Sequence, residues 1–198
     1  MYIIESQYFP VVDWFKIATN NTHYKIEQYE TFQKMSFRNR CIISGSNGLV
    51  NLTVPIQNGR EQKTMIRDIK VDNTQQWQKQ HWRAILSSYS RSPFFEYYGE
   101  EVNNLLKKPH VFLFDLNWEI IQWLKKVLKL QTDLEFTDDF IKAYDPEKYL
   151  DYRNHWLTKN YNADAANWSP RYTQVFEDKF GFLPNLSILD LLFCRGKL

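Results

Sequence analysis

The spacing of apolar and polar positions changes character along the chain. In the first half it comes as short β-prone runs. Tyr2 to Glu5 is one such run, stopped near Pro10. Val11, Trp14, Phe15 and Ala18 follow at the spacing of a helical stripe. Tyr24 to Gln28 predicts the next strand. Cys41–Ser44 and Leu49–Pro55 flank Gly45-Ser46-Asn47-Gly48, and Asn-Gly between β-prone runs predicts a hairpin. Met65 to Val71 reads as a further strand.

The second half is more helical. Asn73 is placed to cap a helix from Thr74 to about Ser90, with Gln76 where a capping-box side chain reaches back. Pro93 should break it, and Glu96 to Leu106 gives a weaker helix ended by Pro109. Asn117 is placed to cap Trp118 to Leu130. There Ile120, Leu124, Val127 and Leu128 form one face, and Lys125, Lys126 and Lys129 form a solvated opposite face. Leu134 to Thr137 predicts a short edge strand. Asp145 to Pro170 predicts loops with a short helix, the most mobile part of the chain. In the C-terminal segment PNLSILDLLFCRG, Ser187 is a cap and Asp190 stands three residues on, as in a capping box. Apolar residues cover nearly every side of that helix, which predicts burial all round, and Gly196 suits a left-handed stop. Together these elements predict one α+β domain over residues 1–198. A small mixed sheet from the N-terminal half would pack against helices mainly from the C-terminal half.

Composition narrows the chemistry. The 198 residues include only 6 glycines, where ordinary usage gives about 14. Neither G-x-G-x-x-G nor G-x-x-x-x-G-K-[ST] occurs, so both glycine-rich phosphate cradles are excluded. Aromatic residues make up 17% of the chain. A net charge of +2 argues against nucleic acid or an anionic membrane as partner. Two cysteines point to a reducing compartment. No signal-peptide pattern and no apolar run of membrane-spanning length is visible, so the expected location is cytoplasmic. Cys41, Cys194, His23, His81, His110 and His155 have no metal-ligand spacing, and no particular cofactor is indicated.

Candidate chemistry lies in a few clusters. Glu27, Glu30, Gln33, Lys34, Arg38, Asn39 and Arg40 are gathered between two predicted strands. Arg38 and Arg40, flanking Asn39, offer planar donors for phosphate or carboxylate, with Glu27 or Glu30 as a base. The alternative is a solvated loop with a Glu30–Lys34 pair. His81 shares a helical face with Trp77 and Ile85, where burial would set its pKa near neutrality, as a general base needs. It would otherwise be a core histidine satisfied by one carbonyl. Cys41 beside Arg40 is a candidate nucleophile or the start of a buried strand. Phe94-Phe95-Glu96-Tyr97-Tyr98, with Tyr8, Phe9 and Trp14, are pocket lining or core. Asp190 is a helix cap or an acid, and pointing inward it would need a partner such as Arg38, Arg40 or Arg153.

Several segments resemble the WbqC-like family, in the branch common in Bacteroidetes-type bacteria. They include Tyr8-Phe9-Pro10, Ile26-Glu27-Gln28, Glu30, Gln33-Lys34, SFRNRC at Ser36 to Cys41, Asn47-Gly48 and NLTVP at Asn51 to Pro55. Trp77, His81-Trp82, SPFFEYY at Ser92 to Tyr98, Asp151-Tyr152-Arg153, Gln174-Val175-Phe176 and GFLPNLSILDLLF at Gly181 to Phe193 continue the match. The resemblance implies action on sugars of surface polysaccharide (O-antigen), by acyl or aminoacyl transfer. It brings no family-wide catalytic residues. It also shows a departure: many members carry His-Gln-Pro before the aromatic-Pro motif, where this chain has Ile4-Glu5-Ser6-Gln7.

The expected function is therefore a transferase-like enzyme acting on an activated sugar or another small anionic metabolite. His81 and Glu27 are the candidate proton-handling residues, and Tyr8, Glu30, Arg38, Asn39, Arg40, Trp82 and Asp190 the candidate ligand-binding ones. The alternatives are a non-catalytic sugar-nucleotide binding protein and a protein-interaction module, with homo-oligomer formation left open.

Overall fold

The computed structural model describes residues 1–18, 23–58, 63–162 and 170–198. The fold is α+β, with parallel and antiparallel strands segregated into two sheets. Strands β1 (Tyr2–Glu5), β2 (Tyr24–Glu27), β5 (Leu134–Phe136) and β6 (Leu150–Asp151) form the first, in the order β5-β2-β1-β6, with every pairing parallel. Strands β3 (Arg40–Gly45) and β4 (Gly48–Thr53) form the antiparallel hairpin that the Asn-Gly signal predicts. Around them pack α1 (Val12–Ala18), α2 (Trp77–Tyr89), α3 (Phe95–Lys107), α4 (Leu113–Val127), α5 (Glu177–Phe180) and α6 (Ile188–Arg195).

Parallel pairing explains why the first strands lack a clean polar alternation. Adjacent parallel strands need a crossover of about a dozen residues or more; residues 6–23, including α1, supply the one between β1 and β2. Elements then cover both faces of the sheet, so Ile3 and Ile4 are both fully buried although they face opposite sides. Both edge strands, β5 and β6, come from the second half of the chain. β5 is the edge strand that Leu134 to Thr137 predicts, and β6 is a second strand that the pattern did not show. The two-residue β6 was too short to stand out within the polar Asp145–Pro170 stretch, and residues 163–169 of that stretch lie outside the described ones.

Three further boundaries differ from expectation, each for a local reason. Met65 to Val71 is a 3₁₀ turn over Ile66–Asp68 flanked by single bridges, Thr31 with Met65 and Ile56 with Val71. Its apolar alternation serves a loop whose Ile66 and Ile69 are buried. Helix α2 starts at Trp77, because Asp72 closes a turn by accepting from the Thr74 N–H and hydroxyl. Asn73 instead donates to the His110 carbonyl at 2.8 Å. Helix α4 begins at Leu113, where Leu113, Phe114 and Leu116 bury its first turn. Asn117 is therefore inside the helix and donates to the Arg38 carbonyl at 2.7 Å.

Helix α6 is the buried centre of the C-terminal half. Ile188, Leu189, Leu191, Leu192 and Phe193 are all fully buried, and the Ser187 hydroxyl accepts from the Leu189 N–H as a cap. The same hydroxyl donates to the Phe9 carbonyl at 2.9 Å. It thereby fixes the turn after β1, where Phe9 holds a left-handed φ of 40°. Gly196 ends the helix at φ 78°, and a Cβ there would lie 2.6 Å from the Phe94 ring. Gly196→Ala is expected to lower the unfolding free energy by about 1–3 kcal/mol through left-handed strain and that clash. Urea denaturation measures this, and an unchanged midpoint would contradict the packing described.

Candidate functional site

The carboxyl ends of β1 and β2 bring carboxylates together. Glu5 and Glu27 are register partners, so their side chains leave the sheet on the same side. Glu30 follows on the loop after β2. All three are buried, at 1%, 0% and 6% exposure. Such a group is stable only if cations and donors are supplied. They come from two segments, the nearby 3₁₀ turn Phe37–Asn39 and the distant chain just beyond β6.

Arg38 is fully buried and grips Glu30 with two bonds, Nε to Oε1 at 2.7 Å and Nη2 to Oε2 at 2.6 Å. Its Nη2 also donates to the Asn154 side-chain oxygen at 2.9 Å. The Asn154 N–H reaches back to Glu5 at 3.0 Å, and Gln7 donates to the other Glu5 oxygen at 2.7 Å. Asn154 makes both contacts from a left-handed φ of 63°, which asparagine tolerates well. Burial raises the Glu30 pKa above the ordinary value; Arg38 opposes that, and Glu5 and Glu27 add to it.

Arg153 organises the other side. It donates to Glu27 at 3.0 Å and grips Asp151 through Nε and Nη2 at 2.9 and 2.6 Å. The Tyr29 N–H and the Thr137 hydroxyl complete the Glu27 shell. The Arg153 guanidinium also lies over the rings of Tyr144 and Phe140, at 4.9 and 5.4 Å. Between the two guanidinium–carboxylate pairs opens a cleft of about 320 Å³. Glu30, Thr31, Gln33, Phe140, Lys142, Asp151, Arg153 and Asn154 line it.

Of the residues singled out by sequence, this arrangement unites Glu27, Glu30 and Arg38, and it uses Arg38 internally rather than leaving it free for a ligand. Tyr8 and His81 form a separate buried pair, with the Tyr8 hydroxyl 2.9 Å from His81 Nδ1 and Trp77 packed edge-on against both rings. Burial lowers the His81 pKa to about 4, against a bond to the Thr53 backbone, so the ring is neutral at pH 7. Asn39 donates to the Val54 carbonyl, half-buried Arg40 reaches the Met35 sulfur at 3.5 Å, and Trp82 stacks on Phe95. Cys41 is buried, and desolvation raises its thiol well above the ordinary value, as a packing residue rather than a nucleophile requires.

Asp190 is fully buried, and its partners are not arginines. It accepts from the Tyr89 and Tyr172 hydroxyls, both at 2.7 Å, and from Gln174 at 2.8 Å. Neutral donors close this carboxylate off inside the core, and burial raises its pKa against them.

Glu5, Gln7, Asp151, Arg153 and Asn154 were not among the candidates read from sequence. Asp151 and Arg153 did carry a signal as part of the Asp-Tyr-Arg motif. The proximity of that motif to Glu27 depends on β6 pairing with β1, and no local pattern encodes that pairing. Among the described residues, no group of three or more His, Cys, Asp or Glu could hold a metal ion. No helix of the described residues is long and apolar enough to cross a membrane.

Comparison with known sequences fits this picture. The model of the WbqC-like protein family matches residues 5–164, a range holding the whole cleft. The chain is 27% identical to "Uncharacterized protein Rv1507c" of Mycobacterium tuberculosis, with 98% of this chain and 93% of that protein covered. No solved structure matches significantly.

Two outcomes follow from these geometries. Arg38→Met should destabilise the protein by about 3–5 kcal/mol, because it strands a buried carboxylate. Adding Glu30→Gln should recover part of that loss; if the double variant is less stable than Arg38→Met in urea denaturation, the pairing is misassigned. His81 has a folded pKa below its ordinary value of 6.5. Its neutral burial therefore adds stability that is fully present above pH 6.5 and lost as pH falls toward 4. Across that window the wild type should lose up to about 1.4 kcal/mol per pH unit relative to His81→Gln. Parallel stability–pH curves for the two proteins would contradict this.

Proposed function

This chain belongs to the WbqC-like protein family, and on that premise we propose that it is a transferase-like enzyme acting on an activated sugar or another small anionic metabolite in surface-polysaccharide synthesis. One observation carries the proposal. Glu30 and Asp151, each held at both oxygens by an arginine, face one cleft at the carboxyl end of a parallel sheet. The strand order reverses direction between β1 and β6, with β2 and β5 laid down on one side and β6 on the other. Ligands of open α/β sheets bind in the crevice at such a switch point.

The lining suits a polyhydroxylated ligand. A carboxylate fixed by a guanidinium fork is a directed acceptor whose position costs little to organise on binding. Glu30 and Asp151 would accept from sugar hydroxyls, Thr31, Gln33 and Asn154 would both donate and accept, and Phe140 would offer an apolar ring. Glu30 is the carboxylate that both lines the cleft and has a raised pKa, so it is better suited than Glu27 to take a proton from an attacking hydroxyl. Glu27 is fully buried and does not line the cleft, and His81 lies in its own cluster with Tyr8 and Trp77. A non-catalytic sugar-binding protein is favoured by the full pairing of Asp151 and Glu27, and activity measurements on Glu30→Gln separate the two.

The test is thermal shift and calorimetry against nucleotide-sugars, aminoacyl donors and acyl-CoA compounds. At least one class should stabilise the protein. Asp151→Asn should then weaken binding by about 10- to 100-fold, the usual cost of losing one charge-assisted hydrogen bond. Glu30→Gln should abolish turnover while weakening binding no more than Asp151→Asn does. Absence of stabilisation by every class would refute the proposal.

A further inference from the structure

In parallel sheets the first place to look for a bound phosphate is the turn after β1, where free backbone N–H groups at a helix start collect the anion. Here four of those groups are already committed. The Tyr8 N–H donates to the Phe37 carbonyl and the Val11 N–H to the Gln7 side chain. The Val12 N–H donates to the Leu186 carbonyl and the Asp13 N–H to Asn185. Tyr8, Phe9 and Val11 fill the space, each at 1% exposure or less. An anionic group entering the cleft must therefore be held elsewhere.

The lining of the cleft itself offers a cation. Segment 139–144 runs exposed past the cleft and brings Phe140 and Lys142 to its lining. Arg38 is committed to Glu30, and Arg153 to Glu27 and Asp151. Among the described residues Lys142 is the lining cation engaged in no ion pair. Phe140 is 46% exposed beside it. Arg153 steadies the segment, donating to the Ile141 carbonyl at 2.9 Å and lying over the Phe140 and Tyr144 rings. The segment thus presents an apolar ring and a free ammonium group next to the fixed acceptors Glu30 and Asp151.

We propose that Lys142 binds a phosphoryl group of the sugar ligand while Phe140 carries the sugar ring, so that segment 139–144 selects phosphorylated sugars over free ones. This rests on the sugar-binding role of the cleft and specifies which half of the ligand each wall takes. A surface ammonium is a point charge suited to phosphate, and an aromatic face packs well against the apolar face of a pyranose.

Calorimetry with two nested series tests it: glucose, glucose 1-phosphate and UDP-glucose, and N-acetylglucosamine with its 1-phosphate and UDP derivatives. Wild type should bind a phosphorylated member at least about tenfold more tightly than the free sugar of its series. Tight binding of the 1-phosphate places the recognised group on the sugar; a preference confined to the UDP member places it in the nucleotide diphosphate. Lys142→Gln should reduce either preference to within about threefold, and Lys142→Arg should restore it. Phe140→Ala should weaken every member of a series alike. Lys142 is exposed and engaged in no ion pair, so its variants should keep the wild-type melting curve. Binding without phosphate preference, or a preference that survives Lys142→Gln, overturns this inference and leaves the sugar site standing. If no member of either series binds, the inference falls together with the sugar-binding role.

Discussion

The structure turns on keeping three buried carboxylates, Glu5, Glu27 and Glu30, at one end of a parallel sheet. Strand pairing brings Glu5 and Glu27 side by side whether or not their charges are balanced. The cost of that arrangement dictates what surrounds it. The 3₁₀ turn must deliver Arg38, and Asn117 in the buried start of α4 fixes that turn by holding the Arg38 carbonyl. The chain must also return after β5 and add β6 beside β1, so that Arg153 and Asn154 reach Glu27 and Glu5. The short β6 has little ladder of its own, and its position depends as much on these side-chain bonds as on pairing.

The same physics produces a different result around Asp190 and His81. Asp190 is surrounded by two phenols and an amide, all neutral, and every donor points inward from the core. His81 sits against Tyr8 and Trp77 with its ring uncharged. Both are closed clusters that fix the packing of α6 and α2. The cluster at the sheet end differs because arginine-paired carboxylates there form the wall of an open cleft. Buried charge alone does not mark a site; the face left open toward solvent does.

How much of this was legible in the sequence follows from the range of the interactions. The hairpin, α6 with its Ser187 cap and Gly196 stop, and the first strands are specified by neighbouring residues, and local patterns found them. Glu27, Glu30 and Arg38 stood out because they lie close together in the chain. Asp151, Arg153 and Asn154 are separated from Glu27 and Glu5 by well over a hundred residues, and neither the two-residue pairing of β6 nor the side-chain bonds that return them leave a local pattern. Asn117 shows the converse error. A residue type that suits a helix cap was read locally, but the apolar residues before it extended the helix and turned its side chain toward Arg38.

Glycine scarcity ties the site to the fold. A glycine-lined turn after β1 would leave backbone N–H groups open for an anion. This chain places Gln7, Tyr8 and Phe9 there, and accepts a left-handed Phe9 held by the Ser187 hydroxyl. The turn thereby becomes a docking surface for α6, with the Ile188 N–H donating to the Pro10 carbonyl and the Val12 N–H to the Leu186 carbonyl. One region cannot pack against a fully buried helix and also receive a solvated ligand. The cleft is accordingly lined by side chains of other segments, and two of them, Glu30 and Asp151, are fixed by guanidinium forks rather than by backbone geometry.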